Sequence, residues 1–181
     1  QPTPESMKQF PVSLRAASAT DVHCLGVLAT QVWLDTYATD GIRETIAAEV
    51  LHSFSPQTIG ALISDPAVTF VLAENNSHLI GFAQWTAGAR HALVNGVNPA
   101  ELDRLYVQER ATGRGVGTVL LESAERTARS AGIDVLWLQA WVHNDRALHF
   151  YTRHAYVDLG SSEFWMGPEV HENRVLAKQL I

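Results

Sequence analysis

The segment that most constrains this chain is Gly113-Arg114-Gly115-Val116-Gly117. It lies between a strand-like run, Glu101 to Val107, and a helical stretch that continues to about Ala131 with Gly132 beyond its end. Glycines at alternate positions let consecutive backbone N–H groups approach an anion without Cβ clashes, and the helix that follows turns the positive end of its dipole to the same place. Taken alone, the spacing fits a phosphate or pyrophosphate cradle, or a tight turn whose glycines only satisfy geometry. Two nucleotide-binding plans do not fit the surrounding residues. A dinucleotide fingerprint needs a third glycine where Thr118 stands, and an acidic residue after the next strand. The phosphate loop of nucleotide hydrolases ends in a Gly-Lys pair, which the chain lacks.

The alternation of residue types extends the reading to the whole chain. Phe10 to Arg15 alternates as a short strand, and Ala19-Thr20-Asp21 offers capping oxygens before a helix carrying Leu25, Leu28, Ala29, Val32 and Trp33. Further helices are predicted from Ile42 to Leu51 and after Ser55-Pro56, where Pro suits a first helical position. Thr69 to Ala73 and Leu79 to Trp85, joined through Asn75-Asn76, read as a β-hairpin. After the loop from Gly88 to Pro99 come the glycine-loop unit, a strand from Val135 to Val142, a helix capped by Asn144 or Asp145, and strand-like runs at Tyr156 to Leu159 and Arg174 to Leu180. The expected fold class is mixed α/β.

Composition narrows the function classes. The chain has 181 residues, 46% hydrophobic and 18% charged, with no repeat and no linker, so residues 1–181 read as one domain. A domain of this size buries about 70% of its unfolded surface and needs neither metal nor disulfide to hold it. The 13 Lys and Arg against 19 Asp and Glu give a net charge of −6 with no basic block, which argues against nucleic-acid binding and favours cationic partners weakly. Cys24 is the one cysteine, read as a small buried side chain, and the 8 His lack paired ligand spacing, so no metal is expected. No apolar stretch reaches the roughly 18 residues of a membrane span, and Gln1 to Glu5 lacks the features of a leader. The expectation is a cytoplasmic protein with no membrane association that can form a homodimer.

About 30 residues after the glycine loop, a second motif supplies the context that the first one needs. With Thr112-Gly113-Arg114-Gly115-Val116-Gly117 and Asn144-x-x-Ala147-x-x-Phe150-Tyr151, the sequence resembles the GNAT superfamily of N-acetyltransferases, which use acetyl-CoA. The resemblance spans nearly the whole chain and is most specific from Glu101 to Tyr156. Thr112 stands where the family usually has Gln or Arg, and Ala155 where it usually has Gly before an aromatic. The first change removes a side-chain contact; the second affects a helix end. The resemblance implies a central, mainly antiparallel sheet flanked by helices and splayed at a CoA cleft, between the strands ending at Val107 and Val142. It further implies that backbone N–H groups from Gly113 to Thr118, Val116 and Gly117 included, hold the CoA pyrophosphate, with Arg114 adding charge. Leu105, Tyr106 and Val107 would run beside the pantetheine arm, the Val107 N–H would face the thioester oxygen, and Asn144 would contact the cofactor from the opposite wall.

Direct attack of an amine on a thioester requires a neutral amine, a stabilised oxyanion and a protonated leaving thiolate. Tyr151 occupies the family position of the general acid. Glu101 starts the strand that ends at the oxyanion donor, and simple alternation puts Glu101, Asp103, Leu105 and Val107 on one face; it is the expected base, with His143 as the second candidate. Trp33 and Tyr37, at the end of the first helix, together with Trp85 and Trp141, are the aromatic residues available for an acceptor pocket, where ring faces suit ammonium groups. The expected acceptor is a primary amine. The stretch from Trp137 through Trp165-Met166-Gly167 to Lys178 resembles the bacterial polyamine-acetylating subgroup, while a peptide or protein N-terminus also fits. A noncatalytic acyl-CoA-binding sensor is the alternative from another class.

Overall fold

The computed structural model describes residues 10–181; the first five residues, read above for a leader, lie outside that range. Seven strands form one sheet: β1 (Ser13–Ala16), β2 (Val68–Asn75), β3 (His78–Ala87), β4 (Pro99–Val107), β5 (Val135–Trp141), β6 (Val157–Met166) and β7 (Glu169–Gln179). Five helices accompany them: α1 (Val22–Tyr37), α2 (Glu44–Ser53), α3 (Pro56–Ser64), α4 (Val116–Ser130) and α5 (Asp145–Arg153). The caps follow the sequence. Ser55 Oγ accepts the Thr58 N–H at 3.1 Å ahead of Pro56, and the Arg15 guanidinium grips Asp21 at 2.7 and 2.8 Å, fixing the entry to α1 and holding the Asp21 carboxyl down at about 2.

The strand order is β1-β2-β3-β4-β5-β7-β6, antiparallel everywhere except between β4 and β5. That parallel pair is joined through α4, the crossover such a pair requires. Its pairing ends early. Pro99, Ala100 and Glu101 match Val135, Leu136 and Trp137, after which β4 continues to Val107 and β5 to Trp141 with no ladder between them. The expected splay is therefore present.

Helices cover both faces. On one side α4 lays Leu120, Leu121 and Ala124 against Ala83, Trp85, Leu102, Leu136 and Leu138; on the other α1, α2 and α3 pack Leu25, Trp33, Val50, Phe54 and Ile59 against Phe70, Leu72 and Phe82. Fully burying each such side chain contributes about 1.5–3 kcal/mol.

Three expectations need correction here. Simple alternation along β4 fails, because a bulge sets Arg104 opposite Gln84 and Leu102 opposite Trp85, leaving Asp103 without a partner on β3. Leu102 and Leu105 therefore both face α4, whereas Tyr106 packs on the α1–α3 side and Glu101 shares that side. Cys24 is exposed on α1 rather than buried. The last two strands are also far longer than the runs at Tyr156 to Leu159 and Arg174 to Leu180, and pair from Val157–Ala177 to Met166–Glu169 around Gly167 (φ 58°). No helix among the described residues is long and apolar enough to cross a membrane.

Candidate active site

Where β4 and β5 part, a cleft of about 740 Å³ opens between the end of β4, the glycine loop, the N-terminus of α4 and the inner face of α5. Its walls include Leu105, Val107, Gly113, Gly115, Val116, Gly117, Thr118, Asn144 and Tyr151. Gly113 (φ 74°) and Gly115 (φ 82°) hold left-handed backbone, and a Cβ on either would meet no atom within 4 Å. The fold leaves that space empty of its own side chains. No side chain caps α4, and its first carbonyl-bonded amide is Val119, which donates to Gly115 at 3.0 Å, so the N–H groups ahead of it stay open. An uncapped helix start behind two left-handed glycines, in a cleft of this volume, fits the pyrophosphate and arm of a CoA thioester.

The strand edge beside the cleft is oriented by its neighbours. The Gln108 N–H donates to Ile80 on β3 at 2.8 Å, so strand alternation turns the Val107 N–H to the opposite edge, toward the gap left by β5. Tyr151, held on α5 between Phe150 (5.2 Å) and Tyr156 (5.5 Å), is buried yet lines the cleft. Burial, reinforced by the nearby Tyr106 and Tyr37, pushes its phenol well above the ordinary tyrosine value and keeps it protonated at neutral pH.

Glu101 and Asp103 meet on the face of the sheet that α1–α3 cover. Burial, then the Asp103 carboxylate, lifts the Glu101 carboxyl to about 7, against the opposing pull of Gln139 and Arg104. Burial raises Asp103 as well, although the Thr86 hydroxyl donates to its Oδ2 at 2.6 Å. Arg104 is engaged elsewhere. It donates to Gln84 at 3.0 Å and lies 5.0 Å from the centre of the Phe54 ring. Asp103 shares a face with Glu101 as alternation predicts, but Thr86, Gln84 and Gln139 join them only through the pairing of β3 and β5 beside β4, which the sequence does not show.

The structure sorts the aromatic residues. Tyr37 and Trp141 come together, ring centres 5.4 Å apart, with His143 edge-on to Trp141 at 5.0 Å; Trp141 and His143 line the cleft. Trp33 is buried behind Tyr37 (4.7 Å) and does not reach the cleft, so it supports the wall instead of forming it. Trp85 lies on the other side of the sheet, buried under α4 with its indole N–H on Thr127 at 3.3 Å, which removes it from the acceptor pocket. Three cofactor candidates also have partners within the fold. The Tyr106 ring turns away to Phe54 and Phe82, Arg114 lies over the Phe10 ring at 4.7 Å, and Asn144, though it lines the cleft, spends its Oδ1 on the Ala147 N–H at 3.2 Å as the cap of α5. No group of three metal-ligating side chains occurs among the described residues.

Comparison with known proteins agrees with this geometry. The model of the acetyltransferase (GNAT) family matches residues 31–156. An uncharacterized N-acetyltransferase of Lactobacillus delbrueckii subsp. lactis is 24% identical over 170 residues, 94% of this chain and 98% of that protein. The spermidine N(1)-acetyltransferase of Thermoplasma acidophilum is 29% identical over 163 residues, covering 86% of this chain and 95% of that one. Among solved structures, the PaiA N-acetyltransferase of Thermoplasma acidophilum in complex with coenzyme A superposes with a TM-score of 0.73 at 24% identity, over 93% of this chain and 99% of that chain. The split sheet, the open glycine cradle and these matches lead to one conclusion: the chain belongs to the GNAT family and is an acetyl-CoA-dependent N-acetyltransferase.

Proposed function

We propose that the enzyme transfers acetyl directly to the primary amine of a small cationic, polyamine-like molecule. The observation that carries this reading is the Glu101–Asp103 pair, two half-buried carboxyls on the α1–α3 face, with Arg104 already engaged by Gln84 and Phe54. Such a pair attracts an ammonium group and can then remove its proton. The 29% identity to the Thermoplasma acidophilum spermidine N(1)-acetyltransferase supports the same class of acceptor.

Acetyl-CoA supplies an activated acyl group and a thiolate leaving group. The chain's residues do the rest. The N–H groups at Gly113, Gly115, Val116, Gly117 and Thr118 bind the phosphates, and Leu105 and Val107 flank the arm. Glu101 accepts the proton of the bound ammonium, directly or through water, leaving a lone pair on nitrogen. The Val107 N–H donates to the thioester oxygen as negative charge grows there. As the nitrogen adds to the thioester carbon and the C–S bond breaks, Tyr151 gives its phenolic proton to the departing sulfur and is reprotonated from solvent; a phenol near 10 is a weaker acid than a thiol near 8.5, so the transfer is uphill between free groups and depends on their contact in the cleft. Tyr37 and Trp141 give the ammonium an aromatic wall.

Thiol release from acetyl-CoA, followed across diamines, monoamines, amino acids and short peptides, tests the reading. Diamines should give the highest kcat/KM. Preference for a peptide N-terminus would replace the acceptor assignment, and tight CoA binding with no amine-dependent release would make the protein a sensor.

A further inference from the structure

The cofactor cleft carries one ion pair across its two lips. Glu109 sits in the 3-10 turn that links β4 to the glycine loop, and Arg146 in the first turn of α5; both line the cleft, and the guanidinium reaches the carboxylate at 3.1 and 3.3 Å. The pair is open to water, with side-chain exposures of 61% for Arg146 and 64% for Glu109. A bridge this exposed holds its partners weakly.

Its placement is the unusual part. A carboxylate at the rim of an anion cradle opposes the binding of phosphates, so its presence there has a cost unless something neutralises it. Arg146 does so, and the same guanidinium fits a phosphate in two-pronged geometry as well as it fits a carboxylate. The 3′-phosphate monoester carries more charge than a carboxylate and each phosphate of the pyrophosphate carries as much, and Arg146 lines the same cleft as the glycine loop on a long side chain. Arg153, seven residues further along α5, lines the same cleft and has no ion-pair partner among the described residues.

We propose that Arg146 is a phosphate-binding residue for coenzyme A that Glu109 holds in reserve, and that cofactor binding moves the guanidinium from the carboxylate to a phosphate. Before the cofactor arrives the pair neutralises Glu109 at the rim, and afterwards Glu109 is left free. Both the pyrophosphate and the 3′-phosphate of the cofactor have the chemistry to accept Arg146.

Calorimetric titration of the full chain with coenzyme A and with dephospho-coenzyme A tests the exchange without any turnover. Arg146→Gln should raise Kd for coenzyme A about tenfold, the size of one charge-assisted contact. Glu109→Gln should lower it about threefold, since the guanidinium no longer has to leave a partner. In the doubly substituted protein the Glu109→Gln gain should vanish, while it should persist beside Arg153→Gln. If the Arg146→Gln penalty disappears with dephospho-coenzyme A, the 3′-phosphate is the acceptor; if it remains, the pyrophosphate is. A Glu109→Gln gain that survives the loss of Arg146 would mean simple repulsion and would overturn the exchange. So would an Arg146→Gln variant with unchanged Kd, or a Glu109→Gln variant that binds coenzyme A no more tightly.

Discussion

Glu101→Gln preserves the size of the side chain and removes its charge, so it separates proton acceptance from packing. With its carboxyl held at about 7, Glu101 is roughly a tenth ionised at pH 6, half at pH 7 and nine-tenths at pH 8. The kcat/KM for a primary amine should therefore rise along a limb centred near pH 7. A positioned base contributes about 10² to 10⁴ in rate, and Glu101→Gln should lose that factor at neutral pH together with the limb. The defect should shrink near pH 10, where about half of an alkyl amine is already neutral. Stability changes in the opposite sense. A carboxyl whose folded value lies above its ordinary 4.5 is compatible with the fold while protonated, and it destabilises progressively as pH rises toward and through about 7. Fully expressed, that shift is worth about 3 kcal/mol; solvent reaching a half-buried side chain reduces it to about 1–2 kcal/mol. Urea unfolding should thus find Glu101→Gln more stable than the wild type by about that amount at pH 8 and equal to it at pH 4. Equal loss of activity at every pH would refute the proton-acceptor role, and unimpaired activity would transfer that role to His143 or to water.

The other variants probe the remaining parts. Tyr151→Phe should lower kcat by about 10² to 10⁴ with little change in the KM for acetyl-CoA, and the defect should shrink with a donor whose thiolate leaves without a proton; equal defects with both donors would rule out general-acid catalysis. Gly115→Val puts a Cβ into the open cradle at φ 82°, and in thermal melts it should abolish the stabilisation by acetyl-CoA, about 2.7 kcal/mol at a hundredfold excess over Kd for the wild type. A retained shift would make the loop purely structural. Ala155 holds left-handed backbone at φ 69° just past the end of α5, so Ala155→Gly should stabilise the fold by about 0.5–1 kcal/mol in denaturant titration.

Legibility in the sequence followed how local each cause was. The glycine loop was readable because left-handed backbone selects glycine within a single turn, and the start of α5 because Asn144 caps it through the Ala147 N–H. The split between β4 and β5 followed from the family resemblance, not from the residues themselves. Sidedness was not readable. One unpaired residue at Asp103 reverses which face each later side chain of β4 occupies, and no residue type marks that bulge; hence Glu101 joins Asp103 and Gln139 instead of Leu105 and Val107. Trp85 and Trp141 are equivalent by residue type, yet the first lies under α4 and the second lines the cleft. The long β6–β7 hairpin is hidden by polar cross-strand partners such as Glu163 with Glu172 and Ser161 with Arg174, which are strand residues on a solvated surface. Residue type suggests a buried Cys24, whereas the phase of α1 leaves it exposed.

The most direct test of the central claim is a single-turnover reaction with enzyme in excess over acetyl-CoA, quenched in acid and resolved by mass spectrometry in the presence of a diamine. Direct transfer predicts that free coenzyme A and monoacetylated diamine appear together, at equal rates and in equal amounts, with no acetyl group retained on the protein. Acetyl found on the chain before the diamine is modified, or coenzyme A released with acetate as its only counterpart, would contradict the account.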